Sequence, residues 1–97
     1  MSTAAETTPE AGPGSPPGAP TVTVRYWAAA REAAGTATER QAGRTVGGVL
    51  DAAVGRHPGL AGVVAACTVL VDGLAADRSA RLEEGATVEV LPPFAGG

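Results

Sequence analysis

Thr21-Val22-Thr23-Val24-Arg25-Tyr26-Trp27 alternates polar with branched or aromatic residues at period two. That pattern predicts a β-strand with Val22, Val24 and Tyr26 on one face and Trp27 on the opposite one. Everything N-terminal to it is different in kind. Residues 1–20 are rich in Pro, Gly, Ser, Thr and Ala and carry no bulky apolar side chain after Met1, so burial cannot repay the entropy of ordering them. They are expected to form a disordered extension, with a single folded domain over 21–97.

Working toward the C-terminus, Ala28 to Ala34 reads as a short helical turn closed by Gly35, and Thr36 to Gln41 as a weaker strand. Thr45 is placed to cap a helix from Val46 to about Arg56. Val46, Val49, Leu50 and Ala53 recur there at helical spacing, and His57-Pro58-Gly59 supplies the stop. Gly47 and Gly48 each weaken its first turn by roughly 1 kcal/mol relative to alanine, so packing must hold that end. A turn is expected around Leu60 to Val64, a strand over Cys67 to Val71, a hairpin turn at Asp72-Gly73, and irregular or weakly extended chain from Leu74 to Leu82. Glu83-Glu84-Gly85 reads as a further turn. Thr87-Val88-Glu89-Val90-Leu91 alternates again as a last strand, ended by Pro92-Pro93. Strand, strand, helix, strand, short extended pieces and strand predict one sheet with a helix across one face, an α+β roll.

Composition narrows the function. The formal net charge is −3 and all seven cationic side chains are arginine, with no lysine, so the basic footprint of a nucleic-acid binder is missing. One cysteine rules out an intramolecular disulfide framework and a Cys-rich zinc site, and fits a reducing cytosol. No run is long and apolar enough to span a bilayer, and no secretory signal opens the chain, so a cytoplasmic protein is expected.

Candidate reactive groups are few. His57 falls in the last turn of the predicted helix, where capping and the helix dipole account for it. Glu83-Glu84 reads as a solvated turn, and Cys67 as a small packing residue at the head of an apolar run. No phosphate-binding glycine loop or metal-ligand spacing is present. What stands out is the end of the chain. The last strand runs without a linker into Pro92-Pro93-Phe94-Ala95-Gly96-Gly97. The prolines stiffen the base of this tail, while the terminal glycines leave no Cβ to obstruct a narrow channel.

Two stretches, Val24 to Gly35 (VRYWAAAREAAG) and Leu82 to Gly97 (LEEGATVEVLPPFAGG), resemble the MoaD/ThiS family of ubiquitin-like sulfur carriers, and most closely its molybdopterin-synthase small subunits. The resemblance covers 21–97. It implies a β-grasp fold: a mixed sheet, one main helix across it, and a flexible tail over 92–97. It further implies that an ATP-dependent, E1-like activating enzyme adenylates Gly97 and that a sulfur donor protein displaces AMP to leave a thiocarboxylate. The tail would then enter the large subunit of molybdopterin synthase and donate sulfur to the molybdopterin precursor. On that view Gly97 is the reacting group, and Gly96, Ala95, Phe94, Pro93 and Pro92 form the inserted tail, with Phe94 as an apolar anchor. The chain would be the sulfur-donating subunit of a hetero-oligomer, not a stand-alone enzyme; it would bind no cofactor, ATP being used by the activating enzyme. The extension over 1–20 and the missing lysines depart from the family pattern.

Other readings remain open at this stage. The same Gly97 chemistry serves carriers for thiazole, cysteine or thio-natural-product synthesis. A ubiquitin-like modifier would instead form isopeptides through Gly97, and a plain binding module would not need Gly96 and Gly97 at all.

Overall fold

The computed structural model describes residues 18–93. The expected extension falls mostly outside that range, and Phe94 to Gly97 lie outside it entirely. Among the described residues five strands form one sheet: β1 (Thr21–Tyr26), β2 (Thr38–Ala42), β3 (Thr68–Val71), β4 (Leu74–Ala75) and β5 (Thr87–Leu91). Three helices, α1 (Ala28–Ala34), α2 (Val46–Arg56) and α3 (Ala61–Val64), join them, with a 3₁₀ turn at Pro58–Leu60. The strand order is β2-β1-β5-β3-β4. The central pair, β1 and β5, is parallel, and all other pairings are antiparallel. This mixed sheet crossed by α2 is the β-grasp architecture expected from the sequence.

The inner face of the sheet follows the period-two reading of β1 and β5. Val22, Val24 and Tyr26 line up with Val88 and Val90, all buried, against Val46, Val49, Leu50 and Ala53 of α2 and Leu60 of the 3₁₀ turn. The core is thus small and mostly Val and Leu, and Tyr26 is its one buried aromatic among the described residues. The alternate face of β1 and β5 carries Thr23, Arg25, Thr87 and Glu89.

Local chemistry sets the joints. Gly35 adopts the left-handed conformation (φ 76°) that closes α1, its N–H donating to the Arg31 carbonyl. Asp72 (φ 50°) and Gly73 (φ 87°) make the tight β3–β4 hairpin. At the start of α2, Thr45 Oγ1 accepts from the Gly48 N–H at 3.1 Å. The Val46 and Gly47 N–H groups donate to the carbonyls of Ala80 and Arg78 in the β4–β5 loop. That loop explains Gly47: a Cβ there would sit 3.2 Å from the Arg78 carbonyl oxygen. The helix accepts a poor helix former so that the loop can close over its N-terminal donors.

Several boundaries differ from the sequence reading, and β3 begins at Thr68 and not at Cys67. β2 starts and ends later than Thr36 to Gln41, because its register is set by pairing Thr21 with Ala42 and Arg25 with Thr38. The turn expected at Leu60 to Val64 is helical, since Pro58 starts a 3₁₀ turn that α3 continues and Leu60 is drawn into the core. In the stretch after Gly73, expected to be irregular or weakly extended, Leu74–Ala75 pair as β4. At the N-terminal side, the Pro20 carbonyl accepts from the Gly43 N–H at 2.9 Å, extending the β1–β2 ladder.

Candidate functional site

β5 is the middle strand of the sheet, and its last residue delivers the chain to Pro92, half-buried, and Pro93, exposed. The root of the tail is therefore held on both sides. Because β1 runs parallel to β5, Tyr26 lies in register with Val90, and the Trp27 N–H donates to the Val90 carbonyl at 3.2 Å. On the other side Thr68 of β3 pairs with Leu91. Proline has no N–H to continue either ladder, so the sheet stops there. A strand clamped by two neighbours fixes where the tail begins and the direction in which it leaves.

Trp27 flanks this root and is 39% exposed, as its pleat position predicted. The Arg25 guanidinium lies 5.0 Å from its ring centroid and 4.0 Å from a Glu89 carboxylate oxygen. Ala28, the next residue, takes a left-handed backbone (φ 49°), which turns the chain sharply from β1 into α1.

On the inner face at the same end of β1 lies a cluster that sequence reasoning missed. The Tyr26 hydroxyl donates to Glu39 Oε2, and His57 Nε2 sits 3.0 Å from both carboxylate oxygens of Glu39. The tyrosine and histidine rings meet edge to face. Burial pushes the Tyr26 hydroxyl well above the usual phenol range, and its bond to Glu39 adds to the effect. Burial alone would raise the Glu39 carboxyl, but the hydrogen bonds from Tyr26 and His57, with the charge of Arg56, outweigh it and hold it below the usual carboxylate range. His57 is also the C-cap of α2, its backbone N–H donating to the Ala53 carbonyl. The cluster ties β1, β2 and the end of α2 together. Its members are 13 and 18 residues apart in sequence, beyond the reach of periodicity or spacing.

The remaining sequence candidates occupy structural positions. Cys67 is half-buried just before β3, its thiol donating to the Val63 carbonyl at 3.2 Å, and burial pushes its pKa up. Glu83 and Glu84 are exposed, as expected of a turn, and Glu84 Oε1 also accepts from the Thr21 N–H at 3.0 Å. Among the described residues no three metal-ligating side chains gather, and no helix is long and apolar enough to cross a membrane. Of the tail candidates, Pro92 and Pro93 end β5, while Phe94, Ala95, Gly96 and Gly97 lie outside the described residues.

No curated protein matches the chain. Solved structures do. SAMP1 from Haloferax volcanii is 32% identical and superposes with a TM-score of 0.72, over 79% of this chain and 99% of its own. The small archaeal modifier protein 1 from Methanosarcina acetivorans is 25% identical with a TM-score of 0.75, over 81% and 98%. A candidate molybdopterin converting factor subunit 1 from Pyrococcus furiosus is 26% identical with a TM-score of 0.71, over 77% and 99%. The ThiS family model matches residues 24–97, from the middle of β1 through the terminal Gly-Gly. With a ThiS/MoaD-type fold and a family match over most of its length, the chain belongs to the ThiS family.

Proposed function

We propose that the chain is a sulfur carrier whose Gly97 carboxylate is adenylated, converted to a thiocarboxylate, and used to donate sulfur to the molybdopterin precursor. The observation that carries this reading is the central strand β5, which ends at Pro92-Pro93 and leads within a few residues to Gly96-Gly97, inside the family match. The other sequence candidates make structural bonds: the Cys67 thiol donates to the Val63 carbonyl, and His57 Nε2 lies against Glu39. Free carboxylate resists nucleophilic attack, whereas an acyl-adenylate has a good leaving group, so activation precedes sulfur transfer. Once formed, the thiocarboxylate is a sulfur nucleophile on a tether, and insertion into a partner makes its delivery local. Support for the molybdopterin acceptor comes from Pro92-Pro93-Phe94 and from the likeness to the Pyrococcus furiosus protein, named as one subunit of a converting factor. The partners are then the large subunit of molybdopterin synthase, an E1-like activating enzyme that consumes ATP, and a sulfur donor protein.

A second reading is favoured by a separate observation. The Methanosarcina acetivorans relative is named a small archaeal modifier protein. A modifier would pass the same activated Gly97 to an amine on another protein.

Intact mass separates the two. After incubation with an activating enzyme of this family, ATP and a sulfide source, a carrier gains about 16 Da at Gly97, the exchange of oxygen for a nucleophilic sulfur. Isopeptide-linked higher-mass conjugates without the sulfur species would favour the modifier, and an unchanged mass would overturn both.

A further inference from the structure

Activation of Gly97, on the reading just given, makes an acyl electrophile that any nearby amine or thiolate can capture. The four residues beyond Pro93 span at most about 14 Å, so groups around the tail root lie within reach, and other copies of the chain bring their whole surfaces. The nucleophiles of the folded domain are engaged one by one, while the α-amino group of Met1 lies outside the described residues. All seven cationic side chains are arginine, and a guanidinium stays protonated and does not attack acyl carbon. The thiol of Cys67 is half-buried, donates to the Val63 carbonyl, and is pushed up by burial, which suppresses its thiolate. The His57 ring is half-buried with Nε2 engaged by both Glu39 oxygens, and an acyl group taken by its other nitrogen would be lost to water as the free acid; the Tyr26 hydroxyl is buried against the same carboxylate.

We propose that the folded domain is chemically inert toward its own activated C-terminus, so that the acyl group can pass only to a sulfur donor or to a nucleophile on another protein. The reaction it avoids is aminolysis. A lysine Nε lone pair would attack the Gly97 carbonyl carbon, forming a C–N bond. The C–O bond to AMP would break with AMP taking the electron pair, and the ammonium proton would pass to solvent. Arginine keeps the surface charge while removing that route. Arg31, exposed on α1 with its backbone N–H donating to the carbonyl of Trp27, whose own N–H bonds Val90, and Arg81, exposed before β5 and bridged to Thr45, mark a near and a far position.

The test uses the full chain carrying a Gly97 thioester made by intein thiolysis, with its N-terminus acetylated, followed by intact mass at mildly alkaline pH. The natural sequence is expected to return only the free acid. Arg31→Lys is expected to give a hydroxylamine-resistant product one water lighter than the acid, at least about tenfold above the natural chain. Arg81→Lys is expected to give that deficit chiefly in covalent dimers. Self-acylated product from the natural chain at a rate comparable to hydrolysis would overturn the proposal, as would an Arg31→Lys chain that only hydrolyses. The thioester needs no activating enzyme, so a failure here is read separately from a failure of thiocarboxylation, which would count against the carrier reading.

Discussion

Gly43 follows β2 and is buried, and a Cβ on it would lie 2.6 Å from Val49 Cγ2 and 3.3 Å from the Val49 backbone nitrogen. Val49 is itself fully buried on α2, so neither atom can retreat cheaply. Gly43→Ala is therefore expected to destabilise the domain by about 1–3 kcal/mol, read from the urea midpoint, where Gly62→Ala, with open space around it, is not. Glu39 makes a different prediction. Its folded pKa is lowered from 4.5, so its contribution is present above that pH and is lost as pH falls through the folded value. Tyr26 works in the opposite sense: its hydroxyl is raised from 10.0, so its contribution is present below pH 10 and lost as pH rises further. Stability measured by urea unfolding should fall on the acid side below about pH 4.5, and Glu39→Gln should flatten that limb.

Among the elements, α2 and β5 have the bounds that the sequence predicts, Val46–Arg56 and Thr87–Leu91. Their signals are local: a capping threonine, four apolar residues at helical spacing, strict alternation, and a proline pair. Thr45→Ala should cost about 1 kcal/mol by removing the side-chain acceptor for the Gly48 N–H, with no change in the folded far-ultraviolet spectrum. The bounds of β2 were less legible because Thr38 to Ala42 has weak alternation and takes its register from β1. Helical structure at Pro58 to Val64 was hidden for a similar reason. Only burial of Leu60 under the sheet settles it, and that is a tertiary event. The candidate site divides along the same line. The tail reading rests on consecutive residues and so needs no fold to be made, whereas the Tyr26–Glu39–His57 tie joins three elements that meet only on folding.

For the molecule as a whole, fold and proposed chemistry are separable. The core closes among residues between Val22 and Val90, a span that stops short of Gly96 and Gly97 in sequence. Deleting those two glycines should leave the thermal midpoint unchanged while abolishing any mass gain from sulfur loading, as calorimetry and intact mass on one sample would check. The parallel pairing of β1 with β5 has a mechanical consequence as well. Chain enters β1 at one end of the sheet and leaves β5 at the other, so tension applied between the two ends runs along the strands and loads their shared ladder in shear. All the hydrogen bonds from Thr23–Thr87 to Tyr26–Val90 must then yield together, not one after another as in peeling a hairpin. A machine that grips the tail and pulls would meet the stiffest direction of the domain first, and forced unfolding would be correspondingly slow.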